Sequence, residues 1–207
     1  MEPLPWYRIA APVVFVVMLG GVCVWKNYLR FRAMLLGIGL LSGYAMLQDQ
    51  FSVRLCPEYF TVLHNPINGL TDPTLLGITW GFLGSWWGGA LLGYGAGLAA
   101  TLGKQPPMTV KQLLKPMLCV IAFVAACTAL AGISVAMNAD GFSISINTLS
   151  IEAIPIQRRT PAFIVATYHL VAYAASVLGS VVCIVWIANN RGGKTAKMSA
   201  DLPDRRS

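Results

Sequence analysis

Charged side chains are scarce in this chain. They make up 11% of its 207 residues, against about 25% in a typical soluble domain. So few polar groups cannot clothe a water-exposed surface, which all but excludes a soluble globular domain. Disorder is excluded from the other side, because 56% of the residues are hydrophobic and a disordered chain lacks that apolar content. Paired cysteines are missing too. None of Cys23, Cys56, Cys119, Cys127 and Cys183 belongs to a CxxC pair, and four lie in apolar stretches where cysteine acts as a small hydrophobe, so no disulfide framework is implied. Cys56 alone is expected to face solvent. The common catalytic signatures are absent as well: there is no HExxH, no G-x-S-x-G elbow and no Walker A loop.

What is present is apolar length. Mean hydropathy is +0.64, and a helix needs about 20 mainly apolar residues to cross a bilayer core. Five stretches qualify, at about 9–25, 33–47, 74–102, 116–137 and 161–188. They predict an all-α fold, a polytopic transmembrane bundle of about five spans, or four if the first two form a shallower hairpin. Residues 1–190 form one transmembrane domain, and 191–207 a basic, mobile cytoplasmic tail. The first span reads as an uncleaved anchor, because no small-x-small cleavage site follows it and Val22 spoils a lipoprotein box before Cys23.

Five spans place the two ends of the domain on opposite sides, and the basic residues choose between them. Lys26, Arg30, Arg32, Lys104, Lys111, Lys115, Arg191, Lys194, Lys197, Arg205 and Arg206 fall on one side; Arg8, Arg54, Arg158 and Arg159 fall on the other. The richer side is cytoplasmic, so the N-terminus is expected outside and the tail inside. The formal net charge of +7 is thereby read as an orientation signal, and nucleic acid is not expected as a partner. The lipid bilayer is.

Two outer loops follow, at about 49–72 and 138–160, forming a small cap. In the second, Phe142, Ile144 and Ile146 alternate with polar residues, a period-2 pattern suited to a strand. In the first, Asp72-Pro73 reads as a helix start, with Asp72 as N-cap and Pro73 at the first helical position. Pro106 and Pro107 stop the third span on the inner side. That span carries Gly77, Gly81, Gly84 and Gly88 on one helical face, with Ser85, Gly89, Gly93 and Gly97 in a row beside it. Such rows let helix backbones approach closely in lipid. Packing within the chain is the favoured role. Self-association, or docking of a membrane-protein partner by a non-catalytic scaffold, is the alternative. Of the tryptophans nearby, Trp80 suits the outer interface, while Trp86 and Trp87 are expected to fill space opposite the glycines.

The last span sets His169, Tyr173, Ser176 and Ser180 at helical spacing on one face. Ionisable residues within a span face the bundle interior, and His169 falls in the outer half of the membrane. The first outer loop adds Glu58 and His64, with Asp49 at its start. Two imidazoles and a carboxylate make a sufficient ligand set for a divalent metal. Glu58, His64 and His169, with Asp49 beside them, are therefore the candidate metal- or proton-handling site, expected to converge within about 6 Å. A haem with two axial histidines fits less well, since His64 falls in a loop. Nothing in the sequence fixes a substrate or decides whether the protein is an enzyme.

Arg54-Leu55-Cys56-Pro57-Glu58-Tyr59-Phe60-Thr61, then His64, then Leu70-Thr71-Asp72-Pro73-Thr74-Leu75-Leu76 with Trp80 and Trp86-Trp87, resemble a group of uncharacterised bacterial polytopic inner-membrane proteins. The resemblance extends to the stretch from His169 to Tyr173 and covers about a third of the chain. It implies a bacterial inner-membrane location and carries no activity with it.

Overall fold

In the computed structural model, residues 3–138 and 154–191 are described. The chain is all-helical there, in a bundle of five long helices and one short one. The order is α1 Tyr7–Lys26, α2 Leu29–Leu55, α3 Pro57–Thr61, α4 Pro73–Ala99, α5 Val110–Met137 and α6 Arg159–Asn190. All but α3 are long and apolar enough to cross a membrane. The alternating pattern predicted for 142–147 lies outside the described residues, as does the tail beyond Arg191.

Several helix ends differ from the sequence expectation. The second span was expected to stop near 47, but α2 runs on to Leu55, because nothing after Leu47 breaks a helix before Pro57. Asp49 therefore sits inside a helix and not at the start of a loop. The fourth span begins earlier than Pro116: Thr109 and Gln112 form a reciprocal capping box, and Pro116 lies within α5. At the start of α4 the expectation holds, since Asp72 Oδ1 accepts a hydrogen bond from the Leu75 backbone N–H at 2.8 Å. Cys56 departs from it: the side chain is fully buried in an outer-end cluster with Val53, Phe60, Leu76 and Val165, so it does not face solvent.

The glycine rows explain how the helices meet. A Cβ on Gly81 would come within 2.7 Å of the Met46 backbone, and one on Gly89 within 2.7 Å of the Ile38 Cα. Gly93 and Gly97 likewise lie against the α2 backbone at Ala33, Met34 and Arg30. Gly81, Ser85, Gly89, Gly93 and Gly97, at four-residue steps, thus form the seam with α2, and small residues permit that approach where lipid offers no hydrophobic drive. A second seam joins α5 to α6, with Gly179 against Val120 and Phe123. By contrast α4 and α6 touch only sparingly, which leaves room between them. On the far side α1 packs lightly, through Leu19 on Ile38 and Ala90 and through Phe15, whose ring lies 5.5 Å from that of Trp86. Near its outer end the Leu4 N–H donates to the Pro66 carbonyl at 2.8 Å.

Arginines fasten both ends of the bundle. Arg30 donates to Thr101 Oγ1 and Arg191 to the Ala99 carbonyl at one end. At the other end Arg54 bonds Thr74 and Arg158 bonds Glu58.

Candidate functional site

At the Glu58 end, α2, α3, α4 and α6 converge. Asp49 comes from α2 along the line Ala33, Gly37, Leu41, Ala45, Asp49, whose four-residue steps keep one face toward α4. The small residues hold that face close to α4, and the carboxylate at its end is consequently enclosed. From α6, His169 reaches across so that Nε2 lies 3.1 Å from Asp49 Oδ1, with 16% of the His169 side chain and 6% of the Asp49 side chain exposed. Nδ1 of His169 lies 2.8 Å from the Val165 carbonyl, which can only accept. Nδ1 therefore carries a proton. The contact between Nε2 and Oδ1 needs a further proton, whichever of the two atoms holds it. An imidazolium–carboxylate pair and an imidazole–carboxylic acid pair satisfy these contacts equally, and both are neutral overall.

Tyr59 of α3 joins the two histidines. Its ring is stacked on that of His169 with centroids 4.8 Å apart, and it lies 4.8 Å from the ring of His64. Burial pushes the Tyr59 phenol up, so it is protonated at neutral pH. Nδ1 of His64 is 2.9 Å from the Tyr59 carbonyl; it must donate there, which leaves Nε2 of the neutral ring with a free lone pair. Burial holds His64 below its ordinary value, outweighing the opposing effect of that hydrogen bond. The edge of Trp80 closes the group, 4.7 Å from His64 between centroids. Trp80 packs, partly buried, against the cluster of Val53, Cys56, Phe60, Leu76 and Val165.

Glu58 stands apart from this group. Its carboxylate receives Arg158 Nε at 2.9 Å and Nη2 at 3.1 Å, and the Cys56 thiol donates to Oε2 at 3.3 Å. The bonds from Arg158 hold Glu58 below the usual carboxylate range, and burial pushes the Cys56 thiol up. With both oxygens engaged by a fixed cation, Glu58 is not free to serve as a ligand beside the histidines. Among the described residues no three histidine, cysteine, aspartate or glutamate side chains are grouped to hold a metal ion. The expected set of Glu58, His64, His169 and Asp49 thus separates into an Asp49–His169 dyad, a His64 that meets it through Tyr59, and a Glu58–Arg158 bridge. The approach of Asp49 to His169, 120 residues away, was expected from their grouping in the candidate site, whereas nothing in the sequence pointed to Arg158, 100 residues from Glu58.

The dyad opens onto a cavity of about 390 Å³ that extends along the bundle between α2, α4 and α6. His169, Tyr173, Ser176 and Ser180, placed on one face by their spacing, all line it. So do Gly84 and Gly88, where a Cβ would meet only the Tyr173 hydroxyl at 3.0 Å or the Leu41 Cδ2 at 3.2 Å. Trp87 also lines it, roughly parallel to Tyr173 at 6.5 Å, whereas Trp86 turns the other way toward α1. Two lining residues, Gln48, which the sequence reading missed, and Trp80, each carry a buried polar atom, Oε1 and Nε1, with no hydrogen-bond partner among the described residues. Comparison with protein-family models, with curated proteins and with solved structures gives no match to the chain.

Proposed function

We propose that the protein is a multi-pass bacterial inner-membrane protein whose Asp49–His169 dyad is an acid–base centre, exchanging its proton with a group bound at the outer end of the membrane cavity. The observation that carries this is the 3.1 Å contact between two nearly enclosed ionisable side chains beside a cavity. Ionisable groups within a span are costly, and those retained there face the bundle interior or a cavity and mark sites of function. A histidine is also the side chain whose charge changes most readily near neutral pH. The orientation is supported by the excess of basic residues at the Arg30 and Arg191 end, which places the dyad near the outer surface. The location in a bacterial inner membrane is supported by the resemblance of the Cys56 to Trp87 stretch.

The chain has only two histidines, so ¹⁵N-histidine labelling in nanodiscs gives two ring systems, and His64→Gln assigns them. His64 should gain charge at a lower pH than an exposed histidine, as its burial dictates. Across the pH range in which the protein stays folded, the His169 ring signal should respond to pH, and the response should change in Asp49→Asn. A His169 signal that stays constant over that range, with the protein folded, removes the acid–base assignment.

A further inference from the structure

The cavity has a length, an opening and a polar end, and each restricts what can occupy it. Its lining runs from Trp80 to Leu92 on α4 and from His169 to Ile184 on α6, spans of thirteen and sixteen residues, which at the rise of a helix is about 20 Å. That is roughly two-thirds of a bilayer core. A volume of 390 Å³ lies near the lower end of the range for small-molecule sites, about 300–1,000 Å³. Drawn out over that length, it makes a slot wide enough for one chain and not two. The slot opens sideways: Trp87, Leu91, Tyr173, Val177 and Val181 line it, yet remain between 45% and 67% exposed. In a bundle that crosses the membrane, side chains exposed at mid-helix face lipid, so the way in is from the acyl region.

The outer end sets the head group. Gln48 Oε1 is an acceptor without a donor, and Trp80 Nε1 a donor without an acceptor. Buried groups of this kind are rare and costly to leave unpaired, and one hydroxyl on a ligand can supply both needs. The walls here are flat rings, Phe60, His64, Trp80 and His169, which favour a planar head. Among the described residues no lysine or arginine lines the cavity, and Asp49 is its one carboxylate. With the Asp49–His169 pair neutral overall, a phosphate or carboxylate head would find no cation and would approach a carboxylate oxygen.

We propose that the cavity binds one uncharged, single-chain amphiphile with a planar, hydroxyl-bearing head, a long-chain phenol or hydroquinone, which enters from the bilayer between α4 and α6. The head lies among Gln48, Trp80 and the dyad, and the chain runs past Gly84 and Gly88 toward Ile184. This names the group with which the dyad exchanges its proton, and so rests on the acid–base reading for its chemistry, though not for its binding.

The test uses the full chain in nanodiscs and dodecylhydroquinone as probe, followed by tryptophan fluorescence and native mass spectrometry. Saturable binding of one molecule is expected, with dodecyl phosphate and dodecyltrimethylammonium binding at least tenfold more weakly. Trp80→Phe keeps the ring and loses the donor, and should weaken binding about three- to tenfold, as one lost hydrogen bond does. Gly84→Leu puts a side chain into the slot on the side away from α2 and should abolish binding. Thermal unfolding checks that each variant is folded, and Gln48→Leu substitutes for whichever is not. Absence of saturable binding, equal or tighter binding of either charged probe, or unchanged affinity in the folded variants overturns the proposal. The two readings separate in the titration. If the probe binds but leaves the His169 ring signal untouched, the acid–base role falls and the site stands. If His169 titrates and the probe does not bind, the site falls alone.

Discussion

At the scale of single residues, the Asp49–His169 pair is where stability and chemistry conflict. Bringing two charges out of water costs several kcal/mol per ion before their attraction repays it. Breaking such a pair is worse than never having it, because the survivor keeps its burial and loses its partner. Asp49→Ala or His169→Ala should each therefore lower stability by about 3–5 kcal/mol. The double variant Asp49→Ala/His169→Ala should lose much less than the sum, which a thermal double-mutant cycle in detergent would reveal. Additive losses would mean that the two side chains act independently, against the 3.1 Å contact. Histidines and the aspartate were visible in the sequence as rare ionisable residues near apolar spans. Their grouping was only half visible. Spacing put His169 on the face of Tyr173, Ser176 and Ser180, but local sequence cannot show that Glu58 is engaged by an arginine 100 residues away.

At the scale of helices, the glycines of α2 and α4 divide into two kinds that composition alone treats alike. Gly81, Gly89, Gly93 and Gly97 meet backbone, and a substituent there has nowhere to go. Gly39 and Gly43 of α2 have nothing within 4 Å of a built Cβ. Gly89→Ala should cost about 1–3 kcal/mol by forcing α2 and α4 apart, as overpacking does. Gly39→Ala should be neutral or slightly stabilising, since alanine is the better helix former. Thermal unfolding of the two variants side by side decides it, and equal behaviour would contradict the seam. The rows themselves were legible from their four-residue spacing. The register was not: Gly81 joined the Ser85 row against α2, while Gly84 and Gly88 were left to the cavity. Helix ends were misjudged where hydropathy fades before the helix does, at Gln48-Asp49-Gln50 and at Val110–Lys115, because backbone hydrogen bonds and caps end a helix and not the loss of apolar side chains.

For the whole molecule, the span count was legible in composition, since only helices of sufficient apolar length satisfy their backbones inside lipid. The topology can be checked directly. A single cysteine introduced at Asn65 in a cysteine-free background should be labelled by a membrane-impermeant maleimide in intact cells, whereas one at Lys104 should react only after permeabilisation. The reverse pattern would invert the protein and put the dyad on the cytoplasmic side.

The thin contact between α4 and α6 has a consequence in the plane of the membrane. Two tight seams, α2 with α4 and α5 with α6, make two stiff pairs of rods, and the slot is the gap where one pair leans on the other. Whatever enters the slot comes in from the side, so it must displace lipid chains lying against that gap. The bilayer is thus both the solvent of this protein and the competitor at its entrance.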